Sequence, residues 1–352
     1  MKALSRIVLV FVAFSSFVGT GRIQGAEPEL SPHESKFLAN LKQVTRGFPR
    51  AGEGYFSPDG KQIVYQAYPL GYPFYQIYTQ PLDQFAPRMI SYGRGRTTCA
   101  YFSPDGKQIL FASAHTDPEI DQTELKAREL EKEGGRRKYQ WDFDPHMDIY
   151  ICDVDGRNRR RLTDSPGYDA EGSFSHDGKQ IVFTSSRDGD PEIYVMNADG
   201  TNVRRITKSK GYDGGPFFSP DDRWIIFRSD RQKEHMLQLF IVGADGQPET
   251  QLTDNLDHVN WCPYFHPSGE YVIWSGADYS KGPMSANFDL FTLDLKLHAD
   301  HVEKGAIQQI TDHEKADVLP VFSPDGTKLM WTSNRTADGT SQLWIADWLR
   351  KP

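Results

Sequence analysis

The sequence predicts an all-β fold: a six-bladed β-propeller of four-stranded blades. A short phrase, Phe-Ser-Pro-Asp-Gly or a close variant, recurs along the whole chain. Its six copies begin at Phe56, Phe102, Phe174, Phe218, Phe265 and Phe322. A basic spacing of about 45 residues, lengthened in places by insertions, is the period of propeller blades. The 16 Tyr and 21 Phe also favour strands, and Gly and Pro are dispersed as turn residues.

The internal order of each repeat predicts four strands. Ser-Pro-Asp-Gly is a tight-turn sequence, so it should join a first strand ending at the Phe to a second strand. In the third repeat, residues 180–184, 192–196 and 203–207 are the predicted second, third and fourth strands. Apolar middle strands suit blades that pack face to face, and an alternating fourth strand suits an outer edge.

A missing strand at the C-terminal end predicts how the ring closes. Five repeats end in Leu or Ile followed by Thr or Ser, as in Leu162-Thr163, but the sixth repeat lacks this phrase. A matching segment, residues 41–45, instead precedes the first repeat. We expect this N-terminal strand to complete the last blade, because closing the ring removes a free sheet edge.

The N-terminus predicts export. Lys2 and Arg6 precede an apolar run over residues 7–18, and small residues follow up to Ala26. This is the layout of a signal peptide, and the run is short for a membrane span. The predicted organisation is therefore a signal peptide (1–26), a short segment (27–37) and the propeller (38–352). The mature chain should be periplasmic or secreted and should not span the membrane. A net charge of −8 argues against nucleic acid as a partner.

The repeat phrases resemble those of the TolB family of propellers. The resemblance rests on the Leu-Thr and Phe-Ser-Pro-Asp-Gly phrases and on Ile-Tyr-Val-Met-Asn-Ala-Asp-Gly-Thr at residues 193–201, and it covers residues 38–348. It implies a non-catalytic cell-envelope scaffold with a protein partner of the peptidoglycan-associated lipoprotein type. TolB proteins carry an α/β domain ahead of the propeller, and little sequence lies between Ala26 and the first predicted strand here. Roles that depend on that domain are therefore not implied.

Loop lengths predict that one face of the propeller binds the partner. The tight turns repeat on one face, apart from an insertion at residues 296–305. The opposite, loop-rich face carries residues 68–75, an insertion at 116–147 with a helix expected over 119–133, and residues 276–287. Long loops on one face of a rigid scaffold commonly bind.

The candidate site residues lie in those loops and at the channel mouth, counted back from the repeat Phe. Residues three and five places before it should ring the channel, with an acidic arc from blades three, four and six facing two arginines, Arg50 and Arg96, six places before theirs. Such a mouth suits a peptide terminus, a sugar acid or a cation. The alternative is that the aspartates only cap turns. The predicted binding residues are Arg50, Glu53, Tyr72, Arg96, Trp141, Asp169, Glu171, Asp213, Asn260 and Asp317.

Motifs for known chemistry do not occur. The chain has no Gly-x-Ser-x-Gly elbow and no His-Glu-x-x-His. His298 and His301 alone are weak support for a metal, so no metal, cofactor or catalytic residue is predicted. Cys99 and Cys262 fall in opposite blades and should not pair. The main hypothesis is a monomeric protein that binds a partner and has no catalytic activity. The alternative is a carbohydrate- or peptide-acting enzyme, or a ligand-binding protein, at the polar channel mouth; the aligned positions lack the histidines of propeller lyases.

Overall fold

The computed structural model describes residues 29–132 and 143–350. The predicted signal peptide and Trp141 lie outside these ranges. A short 3₁₀ helix, Glu34–Lys36, precedes six antiparallel sheets of four strands each. Six blades, four strands per blade, confirm the predicted fold class. Within the described ranges, no helix combines the length and hydropathy that a bilayer span requires.

The innermost strands contact one another around the ring. They are β2 (Ala51–Phe56), β6 (Thr97–Phe102), β10 (Asp169–Phe174), β14 (Asp213–Phe218), β18 (His258–Phe265) and β22 (Asp317–Phe322). The second strands are β3 (Gln62–Ala67), β7 (Gln108–Ser113), β11 (Gln180–Ser185), β15 (Trp224–Ser229), β19 (Tyr271–Asp278) and β23 (Lys328–Ser333).

The third strands are as long as the second, whereas most outermost strands are short. The third strands are β4 (Gln76–Pro81), β8 (Asp148–Asp153), β12 (Glu192–Asn197), β16 (Gln238–Gly243), β20 (Asp289–Leu297) and β24 (Gln342–Trp348). The outermost strands are β5 (Arg88–Met89), β9 (Arg160–Arg161), β13 (Arg204–Arg205), β17 (Glu249–Gln251), β21 (Val302–Gln309) and β1 (Leu38–Gln43). The fourth strand predicted over 203–207 is therefore shorter in the structure, since only two of its residues pair with β12.

The Leu-Thr phrase has the same structural role in every blade. Its hydroxyl accepts a hydrogen bond from the backbone N–H of the second residue of the third strand. The six acceptor hydroxyls belong to Thr45, Ser91, Thr163, Thr207, Thr253 and Thr311, each 2.9–3.0 Å from its donor. The hydroxyl thus ties the outer edge of each blade to its third strand beyond the few paired residues.

The ring closes as predicted. Strand β1 pairs antiparallel with β24, from Leu38 opposite Trp348 to Gln43 opposite Trp344. The Thr45 hydroxyl accepts from Leu343 N–H, so the N-terminal segment supplies the phrase that the sixth repeat lacks. The Glu34 carboxylate adds a second tie, an ion pair of 2.9 Å with Arg335, and both side chains are fully buried.

The insertion between β7 and β8 carries helix α1 (Ile120–Lys132), which confirms the helix expected there. The Glu124 carboxylate fastens α1 to the first blade: it accepts from Tyr72 Oη at 2.5 Å and from Gly95 N–H at 3.1 Å. The Arg128 guanidinium donates to Gly71 O at 3.3 Å. The helix is therefore held across two blades on the loop-rich face.

Candidate functional site

A bulge in each innermost strand turns one side chain into the central channel. The residue three places before the repeat Phe has a left-handed backbone in all six blades, with φ between 46° and 59°. Strand pairing shifts register at the same place. These six residues are Glu53, Cys99, Glu171, Gly215, Cys262 and Leu319, and all of them line one cavity on the axis.

This axial cavity is small and closed on one side by aromatic rings. Its volume open to water is about 40 Å³, room for a few water molecules. Tyr55, Tyr101, Phe217 and Tyr264 form the cluster toward the tight-turn face, with neighbouring ring centroids 5.0–6.2 Å apart. The hydroxyls of Tyr101 and Tyr264 lie 3.0 Å apart. The channel is therefore a pocket entered from the loop-rich face.

Glu171 is held by a saturated set of donors. Its carboxylate accepts from Tyr212 Oη at 2.9 Å and from Thr184 Oγ1 at 2.8 Å. Gly215 N–H donates at 2.5 Å, and the Arg228 guanidinium forms a buried ion pair with it at 2.9 Å. With its charge and lone pairs matched, Glu171 acts here as a structural anchor between two blades.

Glu53 differs from Glu171 in its surroundings. Burial raises the pKa of Glu53 to about 7, although a hydrogen bond from the Cys99 thiol works in the opposite direction. Burial likewise raises the pKa of the Cys99 and Cys262 thiols well above the ordinary value. Both cysteines, like Cys152, are free and buried. The cavity therefore holds a carboxyl that exchanges its proton near neutral pH, beside thiols that stay protonated.

The aspartates five places before the repeat Phe do not ring the channel, which corrects the sequence-based expectation. Asp169, Asp213 and Asp317 are buried. Each pairs with an arginine of its own blade, and the three pairs are Asp169–Arg187 at 3.0 Å, Asp213–Arg231 at 2.6 Å and Asp317–Arg335 at 2.5 Å. The bulge is the cause, because it breaks the two-residue alternation that would have put these side chains on the channel side with Glu53 and Glu171.

Asn260 occupies the same position in the fifth blade and also points sideways. Its amide donates to Gln238 Oε1 at 3.0 Å, and its carbonyl oxygen accepts from Trp274 Nε1 at 2.8 Å. The position thus makes polar contacts inside and between blades. No open acidic arc facing a basic pair forms from these residues.

Three of the remaining predicted residues, Arg50, Tyr72 and Arg96, lie around the mouth on the loop-rich face. Arg50 lines a second cavity of about 100 Å³ with Tyr75 and Gln66, and it adjoins the axial cavity at Trp261 and Leu319. Tyr72 is engaged with α1, as described above. Arg96 pairs with Asp144 at 2.9 Å and stacks over the Phe74 ring at 4.6 Å, so it fastens the end of the insertion. The role of Trp141 stays a prediction.

Sequence reasoning missed two residues: Arg228, which lines the axial cavity, and Tyr212, which contacts both Glu171 and Arg228. Arg228 stands in a second strand where the other blades carry Gln66, Ala112, Thr184, Ser275 and Thr332. A basic residue at an otherwise small or neutral position of an aligned repeat was the available signal. Tyr212 stands directly before Asp213, and its hydroxyl donates to Glu171 and accepts from Arg228.

Comparison with known proteins agrees with the repeat analysis. Residues 139–282 match the family model described as the TolB β-propeller domain. A stretch of 116 residues is 30% identical to YidR of Escherichia coli, covering 32% of this chain and 22% of YidR. A stretch of 45 residues is 51% identical to the Tol-Pal system protein TolB of Bordetella pertussis, covering 12% of this chain and 10% of that protein. The matches thus span a minor part of both relatives.

Solved structures share the fold at low identity. TolB of Acinetobacter baumannii superposes with a TM-score of 0.57 and 20% identity, covering 83% of this chain and 64% of that one. Oligogalacturonate lyase of Vibrio parahaemolyticus superposes with a TM-score of 0.52 and 12% identity, covering 87% and 93%. One propeller architecture therefore serves proteins with different roles. The six four-stranded blades make this chain a β-propeller, and its repeat phrases and the match over residues 139–282 show that its repeats are similar to those of the TolB propeller family.

Proposed function

We propose that this chain is an exported, non-catalytic cell-envelope protein. Its loop-rich face would bind a partner protein of the peptidoglycan-associated lipoprotein type. The relative from Bordetella pertussis is named as a protein of the Tol-Pal system, and the proposal extends that role to this chain. The predicted signal peptide supports the location.

One observation carries the proposal: large apolar side chains are exposed on the loop-rich face. Leu70, Leu125, Leu130 and Met284 belong to loops or the helix of that face and are 51–81% exposed. Exposed apolar side chains of this size are typical of protein-binding surfaces when they gather on one face. The support of Leu125 and Leu130 is rigid, because α1 is fastened to the first blade through Glu124 and Arg128. Rigid presentation lowers the entropy cost of binding.

Calorimetric titration tests the proposal. The mature chain is titrated with the soluble domain of a peptidoglycan-associated lipoprotein from the same bacterium. We expect binding that weakens at least tenfold in the double variant Leu125→Ser, Met284→Ser. Ile307→Ser is the matched control, because Ile307 is 58% exposed on outermost strand β21. Absence of binding, or equal loss in the control, would count against this partner or this face.

The channel mouth favours a second candidate function, binding of an acidic sugar. The cavity of about 100 Å³ includes Arg50, and a similar fold occurs in oligogalacturonate lyase. Titration with oligogalacturonate and with an Arg50→Gln variant distinguishes this candidate from protein binding. Sugar binding that depends on Arg50, with no lipoprotein binding, would replace the scaffold proposal.

A further inference from the structure

The hairpin between β20 and β21 places three metal-binding groups on one face. Lys296 pairs with Glu303 and Leu297 with Val302 across the two strands. A tight turn follows, in which His298 N–H donates to His301 O at 2.9 Å. Because side chains alternate along a strand, His298, His301 and Glu303 share the face opposite to Leu297 and Val302. The latter two pack against the apolar core and anchor the hairpin.

The three side chains converge to distances that suit one ion. One potential ligand atom from each of His298, His301 and Glu303 lies within 4.8 Å of the others. Glu303 Oε1 is 2.8 Å from His298 Nε2 and 3.6 Å from His301 Nε2. Ligands bound to one zinc ion at about 2.0–2.2 Å are roughly 3.2–3.5 Å from each other in a tetrahedron, and the observed separations of 2.8 and 3.6 Å lie below and just above that range, so small side-chain shifts would bring them into it.

The surrounding groups orient these ligands. His301 Nδ1 lies 2.9 Å from Asp300 Oδ1, and a carboxylate at this nitrogen fixes the tautomer that leaves Nε2 free to coordinate. The Lys296 ammonium lies 3.7 Å from Glu303 Oε2, the oxygen that does not face the histidines. Trp224 Nε1 donates to His298 O at 3.3 Å, which ties the hairpin to the neighbouring blade.

The surroundings of His298 Nε2 and the orientation of the two rings decide how the histidines could bind an ion. His298 Nε2 is inaccessible to solvent and has no hydrogen bond of acceptable geometry, despite the nearby Glu303 carboxylate. The rings of His298 and His301 are stacked at 4.1 Å with an angle of 7° between them. A ring nitrogen coordinates in the plane of its ring, so binding requires a rotation of the half-exposed His301 side chain. The cost is small for an exposed side chain, and coordination would give His298 Nε2 a partner.

We propose that His298, His301 and Glu303 form a binding site for a zinc-class divalent cation on the tight-turn face. Two imidazoles and one carboxylate are a donor set that suits Zn²⁺, and they leave a fourth coordination position open to water or to a ligand from another molecule. The site is independent of the partner-binding face, which lies at the opposite end of the blades. The sequence predicted no metal, because the two histidines alone did not reveal that the hairpin register adds Glu303.

Titration of the metal-stripped mature chain with Zn²⁺ tests the site. We expect one equivalent bound with a Kd in the micromolar range or tighter, and Mg²⁺ should not compete, since it prefers oxygen ligands. His298→Gln and His301→Gln should each weaken binding at least tenfold, and Asp300→Asn should weaken it about tenfold through the lost orientation of His301. Binding of Co²⁺ should give the visible absorption of a tetrahedral ion.

His176→Gln is the matched control. His176 is exposed on the same face and lies 3.1 Å from a single carboxylate, that of Asp222, so its loss should leave Zn²⁺ affinity unchanged. Because every substituted side chain is at the surface or in a turn, circular dichroism should confirm that the variants remain folded. Stoichiometric binding that survives in the double variant His298→Gln, His301→Gln would overturn the proposal, as would a Kd above 1 mM for the unmodified chain.

Discussion

Replacing Glu53 with glutamine should remove a pH dependence of stability. The unfolded carboxyl ionises near its ordinary pKa of 4.5, whereas burial keeps the folded carboxyl protonated up to a pKa of about 7. The unfolded state therefore releases this proton first. The free energy of unfolding should fall as the pH rises from about 4.5 to 7 and then level off. Glutamine cannot ionise, so the Glu53→Gln variant should lack this part of the fall.

The size of the effect follows from the two pKa values. One pKa unit corresponds to about 1.4 kcal/mol, so a rise from 4.5 to about 7 corresponds to roughly 3 kcal/mol. At pH 8 the variant should be more stable than the unmodified chain by up to about 3 kcal/mol. At pH 4.5 the difference should be close to zero. Other acids also have raised pKa values, about 6 for Asp148 and about 7 for Asp289. Both proteins contain them, so their contributions to the pH dependence cancel in the comparison.

Urea unfolding followed by tryptophan fluorescence at pH 5, 6, 7 and 8 measures this difference. Glu270→Gln is the matched control, because Glu270 is exposed and its substitution should leave the pH profile unchanged. A Glu53→Gln variant that parallels the unmodified chain at every pH, or that is less stable at pH 8, would refute the account of Glu53 as a carboxyl kept neutral by burial.

Three further substitutions test other contacts by the same unfolding measurement. Arg335→Met should destabilise the chain by about 3–5 kcal/mol, because it leaves the buried carboxylates of Asp317 and Glu34 without a counter-charge; a loss below 1 kcal/mol would contradict this. Thr45→Val should cost about 1–3 kcal/mol, because Leu343 N–H loses its acceptor at the ring closure, and an unchanged midpoint would show that the closure does not need it. Gly215→Ala should cost roughly 1–3 kcal/mol, because the residue has φ +59° and a Cβ there would lie 1.9 Å from the Arg228 guanidinium; wild-type stability would show that Arg228 can move aside.

The repeat made the fold predictable from sequence. A turn phrase that recurs with the period of a blade sets the strand order, and Val44-Thr45, a displaced copy of the phrase that ends the other repeats, predicts the closure. Each of these signals is local and repeated six times. Because each blade packs against its neighbours in the same way around the ring, these local signals were sufficient to predict the fold.

The site was less predictable, because a single bulge decides which side chains face the channel. Alternation along a strand would have put Asp169 and Glu171 on the same side. The left-handed backbone at Glu171 separates them, so Glu171 enters the cavity and Asp169 pairs with Arg187. Where the bulged residue is not glycine, as at Glu53 and Cys99, the sequence contains no signal that identifies the bulge. Arg228 can enter the cavity because Gly215 has no side chain, since a Cβ there would lie 1.9 Å from the guanidinium.

The closure of the ring determines when the N-terminal strand can fold into its place. Thr45 and its partner Leu343 are 298 residues apart in the chain, so the strand made first is among the last to find its place. At roughly 5–20 residues per second of synthesis, β1 waits about 15–60 s for β24. Until then β1 has no sheet to join, and an unpaired strand is a template for pairing with another chain. Whether the incompletely folded chain avoids pairing with another chain therefore depends on what covers β1 during this time.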